Sequence, residues 1–148
     1  KIGGKEMRKL ALMSYLGVTG KEIREGHDPQ TLKVWDKEHM VWREYMVLSE
    51  QERNEKVKEY IQETLWAFLP SFLAEEIGLP EEIFRAISEK CESGNDAILA
   101  LVEKTCGLDA FVKAAVEADG YGHFLASYDG KEGKVTVEGE DYFIYRIN

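Results

Sequence analysis

A cysteine thiol and a histidine ring are the two side chains of this sequence whose types suit nucleophilic catalysis. Cys106 is followed by Gly107 and then by a predicted helix, so its thiol would lie near a helix N-terminus. That position favours the thiolate, which is the reactive form of cysteine. His123 opens a predicted strand, and a histidine next to a thiol can take its proton. The pair therefore defines one candidate function, a small cysteine-dependent hydrolase.

The tripeptide Gly122-His123-Phe124 resembles the strand-borne histidine motif of papain-like cysteine peptidases. The resemblance implies that Cys106 would be the nucleophile and His123 the general base. However, papain-like chains place the cysteine well ahead of the histidine, whereas sixteen residues separate the two here. No Asn or Asp clearly stands where it would orient the ring. A core cysteine at a helix end and a hydrogen-bonded strand histidine explain the same residues, so we assign no catalytic residue and favour a protein without catalytic activity.

A second candidate function comes from residues 73–87, which fit the spacing of a helix-turn-helix. The second helix of this stretch, however, starts with Glu81 and Glu82, and Arg85 is its only basic residue. Reading DNA takes several Lys and Arg side chains for the phosphates and hydrogen-bond donors for the base edges. We therefore interpret the stretch as a packing motif and keep a degenerate helix-turn-helix regulator as an alternative.

The sequence predicts no metal site and no other cofactor. His27 and His39 have aspartates nearby, but the spacing from His27 is wrong for a helix and no Cys-x-x-Cys pair is present. Residues 129–140 have the acidic ends of a calcium-binding loop. Within them, Lys131 and Gly133 occupy positions that must supply oxygen ligands, so this loop does not fit calcium.

The charge of the chain is distributed unevenly along the sequence. The net charge is −9; residues 1–70 carry twelve basic and twelve acidic side chains, and residues 71–148 carry seven basic and sixteen acidic ones. An acidic field repels nucleic-acid phosphates and attracts basic surfaces. We therefore predict a protein partner with a basic surface and expect no direct binding of nucleic acid. The predicted partner-binding residues lie on two adjacent helices and in two β-turns, namely Glu75, Glu76, Glu81, Glu82, Glu89, Glu92, Asp129, Glu132, Glu140 and Asp141.

The periodicity of the apolar residues predicts a single α+β domain over 1–148. Residues 1–120 are expected to form six to eight mostly short helices, and residues 121–148 a three-stranded antiparallel meander that packs on them. The three strands of the meander are predicted at His123–Tyr128, Lys134–Glu138 and Tyr142–Ile147.

One of the predicted helices runs from Asp28 to Leu48 and has apolar residues nearly all round. Such a helix is typical of the middle of a bundle or of an interface. A two-fold axis could bury its second face, so a homo-oligomer stays open. The helix after it is predicted by the capping box that Ser49 and Glu52 form.

The cellular compartment is inferred from the cysteines and from the lack of targeting segments. Cys91 and Cys106 are too few for a disulfide framework and indicate reduced thiols. No apolar run reaches the length that spans a bilayer, and the first five residues lack the apolar stretch of a secretory signal. We therefore expect a cytoplasmic protein that does not bind membranes.

Two C-terminal stretches, Ala118–Gly130 and Tyr142–Asn148, resemble the ending of a family of small uncharacterised proteins of phages and mobile elements. That family has no established activity, so the resemblance implies an origin and carries over no catalytic residue. Small acidic phage proteins often bind a host protein, and this extends the leading prediction. We predict a non-enzymatic acidic protein-binding module that inhibits a host nucleic-acid-handling or defence protein. An ordinary solvated surface is the opposing interpretation of the same charges.

Overall fold

A computed structural model describes residues 3–148 and shows an α+β fold. Within that range it has seven α-helices and one five-stranded antiparallel sheet. The helices are α1 (Gly4–Leu16), α2 (Glu50–Glu63), α3 (Pro70–Ile77), α4 (Glu81–Ser88), α5 (Asn95–Lys104), α6 (Leu108–Asp119) and α7 (Tyr121–Leu125). The strands are β1 (Ile23–Glu25), β2 (Thr31–Asp36), β3 (Val41–Ser49), β4 (Gly133–Val137) and β5 (Glu140–Arg146).

The described chain divides into two compact units. Residues up to Glu55 together with Tyr121–Asn148 form what we call the sheet unit, and Lys56–Gly120 form the helical unit. The α+β class and the number of helices are confirmed, while the single domain stays a prediction.

The sheet unit is built on a sheet with the strand order β1-β2-β3-β5-β4, in which all neighbours are antiparallel. Helix α1 packs against one face of this sheet. It contributes buried Met7, Ala11 and Leu12 to a core whose sheet side chains are Ile23, Leu32, Val34, Val47, Tyr142 and Ile144. The left-handed Gly17 (φ 69°) ends α1, as glycine does at many helix C-termini.

The predicted helix from Asp28 to Leu48 is wrong, because this stretch forms the hairpin of β2 and β3. Its β-branched and aromatic residues favour strands. The apolar pattern looked continuous because side chains on both faces of the hairpin are buried or half-buried, which hides the alternation that a sheet with one wet face would have. This stretch therefore offers no second apolar helix face for a two-fold axis to bury.

The predicted three-stranded C-terminal meander understates the sheet, which has five strands. Its second and third predicted strands correspond to β4 and β5, whereas its first is not a strand. The stretch His123–Tyr128 begins within helix α7 instead of forming a strand. Gly122 lies so close to the backbone carbonyl of Gly130 that a β-carbon would overlap it. This contact holds the short helix against the following turn, and the aromatic residues nearby mimic a strand in the sequence.

The helical unit contains α3 to α6, close to the segments expected from the glycine spacing. Its buried side chains are Val57, Ile61, Leu65, Leu73, Ile77, Phe84, Ile98, Val102, Phe111 and Ala115. The side chain of Asn95 links two parts of this unit: its Oδ1 accepts a hydrogen bond from the Trp66 N–H (3.1 Å), and its Nδ2 donates one to the Gln62 carbonyl (2.9 Å).

Candidate protein-binding surface

The negative charge of the chain is concentrated in the helical unit. Residues 56–120 carry thirteen acidic and six basic side chains, a net charge of −7, whereas the rest of the chain carries fifteen and thirteen, a net charge of −2. Most of the excess negative charge that the sequence shows after residue 70 thus belongs to the helical unit, and the sheet unit carries the remainder.

Six of the predicted partner-binding residues lie in the helical unit, on α3, on α4 and just after them. Glu75, Glu82, Glu89 and Glu92 are exposed, and Glu76 and Glu81 are half-buried. Only Glu81 has an ion pair among the described residues, with Arg85 one turn along α4. Within residues 3–148, the other five carboxylates have no ion pair with a basic side chain.

The helix pair that carries these glutamates follows from local sequence signals. Pro70 occupies the first turn of α3, where a missing N–H costs nothing, and Gly78 ends the helix with a left-handed φ of 84°. Glu81 and Glu82 lie in the first turn of α4, where the helix dipole stabilises negative charge. The predicted packing of this stretch as a helix pair is confirmed.

Glu89 lies in a less favourable place than the other glutamates of α4. It caps the C-terminal end of the helix, where the dipole is negative and a carboxylate is repelled. No basic side chain compensates it within residues 3–148. Its charge is therefore not explained by the stability of the helix that carries it.

Exposed apolar side chains accompany the glutamates. Ile83 is 40% exposed on α4 directly after Glu82, and Leu69 is 71% exposed just before α3. The exposed residues of α4 are Glu82, Ile83, Arg85 and Ala86, Glu89 follows the last residue of the helix, and Phe84 is fully buried. Protein interfaces commonly have an apolar centre surrounded by a polar rim.

The four predicted binding residues of the sheet unit have partners within that unit. The Tyr145 hydroxyl donates a 2.5 Å hydrogen bond to Glu132, whose carboxylate also lies 3.6 Å from the Arg53 guanidinium. Asp141 accepts from Thr136 and lies 3.6 Å from Lys134. Within their own turns, the Tyr142 hydroxyl donates to Glu140 (3.4 Å), and the Lys131 N–H donates to Asp129 (3.0 Å). All four acids are thus engaged in contacts within the sheet unit.

Arg53 lies at the centre of the Glu132 network. Its guanidinium carbon is 3.9 Å from the ring centroids of both Tyr121 and Phe143, so the cation is held between two aromatic faces. Burial, and then the hydrogen bond to Glu132, raise the pKa of Tyr145 above its usual range. This cluster fixes α7 to the sheet.

The structure places Cys106 and His123, the candidate catalytic pair, in different units. Cys106 is half-buried after α5 and lies two residues before the start of α6, in agreement with the predicted position before a helix. His123 is exposed on α7, and its ring meets Phe124 edge-on with centroids 4.9 Å apart. The strand on which the papain-like resemblance depended is a helix, so that resemblance loses its structural basis.

A buried carboxylate that sequence reasoning missed lies on β3. Glu44 is 3% exposed, and its oxygens accept hydrogen bonds from the His27 N–H (2.8 Å) and lie 2.6 Å from His27 Nδ1. Burial raises the pKa of Glu44, but the bonds from His27 and Thr31 outweigh burial and leave the pKa below its usual value. Gly26 leaves the room for this contact, since a β-carbon there would overlap Thr31 and Glu44.

Further observations bear on cofactors, membranes and relatives. Within residues 3–148, no group of three or more His, Cys, Asp and Glu side chains is arranged to hold a metal ion. No helix of that range is long and apolar enough to cross a membrane. Comparisons with protein-family models, with curated proteins and with solved structures give no match for this chain.

Proposed function

We propose that this protein is a non-enzymatic protein-binding module whose helical unit docks on a basic surface of another protein. The observation that carries the proposal is the set of glutamates that have no basic partner in the described part of the chain, namely Glu75, Glu76, Glu82, Glu89 and Glu92, in a unit with a net charge of −7. Uncompensated charge of one sign speeds and orients encounter with a surface of the opposite sign.

The exposed apolar side chains would supply the affinity that charge alone does not. Buried apolar anchors usually dominate binding energy, whereas charges at the rim mainly set the association rate. Ile83, on the outward side of α4 between Glu82 and Ala86, is the anchor that we assign to the centre of the surface. Glu89 lies at the negative end of the α4 dipole, so its charge does not stabilise the helix. This supports a role for its carboxylate in binding the partner.

The negative charge of this surface and the pairing of α3 with α4 indicate the kind of partner. A basic groove that normally holds nucleic acid would accept an acidic helix pair, and occupation by the helices would exclude the nucleic acid. The module would then act as an inhibitor of a nucleic-acid-handling or defence protein, in keeping with an origin in a phage or mobile element. Cys91 and Cys106 are free thiols, which suits action in a reducing cytoplasm.

The experiment is affinity capture of partners from a lysate of the source organism with three forms of the tagged protein, at low and at high salt. The first form is the wild type. The second carries four Glu→Gln changes on the proposed surface, at Glu75, Glu76, Glu82 and Glu89. The third, a matched control, carries four Glu→Gln changes at exposed positions of the sheet unit, at Glu6, Glu38, Glu50 and Glu138.

The proposal expects one near-stoichiometric partner that the wild type and the control retain at low salt. The surface variant is expected to lose it, and high salt to release it, because exposed charges are screened within about 8–10 Å at physiological salt. Equal capture by the surface variant and the control would refute the acidic surface. A partner held only through Cys106, and released by its alkylation, would favour the hydrolase alternative instead.

A further inference from the structure

The face of the sheet opposite α1 has two tryptophans and two cations side by side on β1 to β3. Trp35 and Trp42 are cross-strand partners with ring centroids 5.3 Å apart, and both are half-buried. The adjacent row of the same face contains Arg24 and Lys33, which are also cross-strand partners. The Arg24 guanidinium carbon lies 4.0 Å from the centre of the Trp42 ring. We call these four residues the indole face.

The two cations of the indole face are not neutralised by any ion pair within residues 3–148. Other cations of the sheet unit are paired, among them Lys5, Arg8, Lys37 and Arg43. The carboxylate next to Lys33 in the sheet register belongs to Glu44, which is buried and bonded to His27. The indole face thus carries two cations without ion-pair partners among the described residues, in a chain whose net charge is −9.

The hairpin that carries the tryptophans ends in exposed apolar side chains. Met40 is 69% exposed and Val41 is 38% exposed, directly beyond the Trp35–Trp42 pair. Met40 also has a left-handed φ of 56°, a conformation that costs a residue with a side chain roughly 1 kcal/mol. A strained residue that presents an apolar side chain to solvent is a feature found at binding sites.

We propose that the indole face binds an acidic segment of a partner protein. Because Arg24 is stacked on Trp42, its planar donors are already ordered for a carboxylate, which it can bind with two hydrogen bonds. Lys33 would receive a second carboxylate, and Trp35 and Met40 an apolar side chain of the same segment. Trp, Arg and Met are the residues most enriched in protein interfaces.

The observations favour a peptide over a nucleic acid as the occupant. Nucleic-acid affinity grows with the number of phosphates that Lys and Arg neutralise, and the indole face offers only two cations. The exposed apolar tip suits a side chain better than a phosphate backbone. This surface goes beyond the proposed function, since it belongs to the other unit and binds a partner of opposite charge.

The test is a titration followed by tryptophan fluorescence. The probe is a synthetic peptide of alternating Glu and Leu, and the matched probe has Gln in place of every Glu. The Trp66→Phe change removes the tryptophan of the helical unit, so the signal reports on Trp35 and Trp42 alone. Calorimetric titration of the unchanged chain gives the same affinity without relying on that variant.

The Glu peptide is expected to shift the emission and to bind at least tenfold more tightly than the Gln peptide. The double change Arg24→Gln and Lys33→Gln should remove that preference, whereas Lys104→Gln with Lys113→Gln in the helical unit should leave it intact. Three results would overturn the proposal: no binding of the Glu peptide, equal binding of the two peptides, or preferential binding of oligothymidylate. The last would assign the face to single-stranded nucleic acid. Each result is independent of the acidic surface, so failure here leaves the proposed function standing.

Discussion

Neutralising Glu52 should destabilise the sheet unit through two interactions at once. Arg8 forms a two-pronged ion pair with its carboxylate, at 2.6 and 2.8 Å, and the Ser49 N–H donates to the same group at 2.9 Å. Burial raises the pKa of Glu52, but the bonds from Arg8 and Ser49 outweigh it and lower the pKa from 4.5 to about 2. That difference between the folded and unfolded states corresponds to at most about 3 kcal/mol.

Because the folded-state pKa is depressed, this stabilisation is present above the unfolded pKa of 4.5 and is lost as the pH falls towards 2. Since the side chain is 24% exposed, solvent screening reduces the expected loss for Glu52→Gln to about 2 kcal/mol near pH 7. Glu50→Gln, an exposed change in the same helix turn, is the control and should cost less than about 0.5 kcal/mol.

The assay is urea unfolding of wild type, Glu52→Gln and Glu50→Gln at a series of pH values from neutral to acidic. The difference between wild type and Glu52→Gln should shrink steadily below about pH 4.5. A difference that stays constant across the series, or that matches the control near pH 7, would show that the ion pair with Arg8 does not stabilise the fold.

Three further changes test other parts of the fold. Gly122→Ala should lower the free energy of unfolding in urea by at least about 2 kcal/mol, because the added β-carbon would overlap backbone atoms. Gly4→Ala has open space around it and should be near neutral. Equal effects of the two changes would contradict the close contact at Gly122. Tyr145→Phe should cost about 1.5 kcal/mol through the lost bond to a carboxylate, and an unchanged melting temperature would argue against that bond. Glu89→Gln should stabilise α4 by about 0.3 kcal/mol, and Glu82→Gln should destabilise it by a similar amount, because the two carboxylates lie at opposite ends of the helix dipole. Changes in melting temperature of the same sign would contradict this effect of the dipole.

The helices with clear terminal signals were predictable from the sequence. Gly17, Gly78 and the capping box of Ser49 and Glu52 mark helix ends by local hydrogen bonding that does not depend on the rest of the fold. The stretch from Asp28 to Leu48 was not predictable in the same way. When side chains are buried on both faces of a hairpin, the alternation of period two disappears, and apolar residues nearly all round then predict a buried helix.

The candidate surfaces, like the hairpin, were only partly predictable from the sequence. The excess of negative charge was visible in the sequence, but its assignment to the helical unit depends on the return of Tyr121–Asn148 to the sheet unit. Nothing in the sequence distinguishes Glu132 and Asp141 from the helix glutamates; their bonds to Tyr145 and Thr136, which depend on the fold, do so. The signal for the Trp35–Trp42 pair was the polar segment of residues 37–39, which lies in the turn between two runs of β-branched and aromatic residues.

The most direct test of the acidic surface is the association rate constant of the captured partner with the immobilised protein, measured as a function of salt. We expect the Gln variant of Glu75, Glu76, Glu82 and Glu89 to associate at least about tenfold more slowly than the matched control at low salt, with the two rates converging at high salt. Ile83→Ala should instead speed dissociation. Association rates that are equal for the variant and the control at low salt would contradict the account.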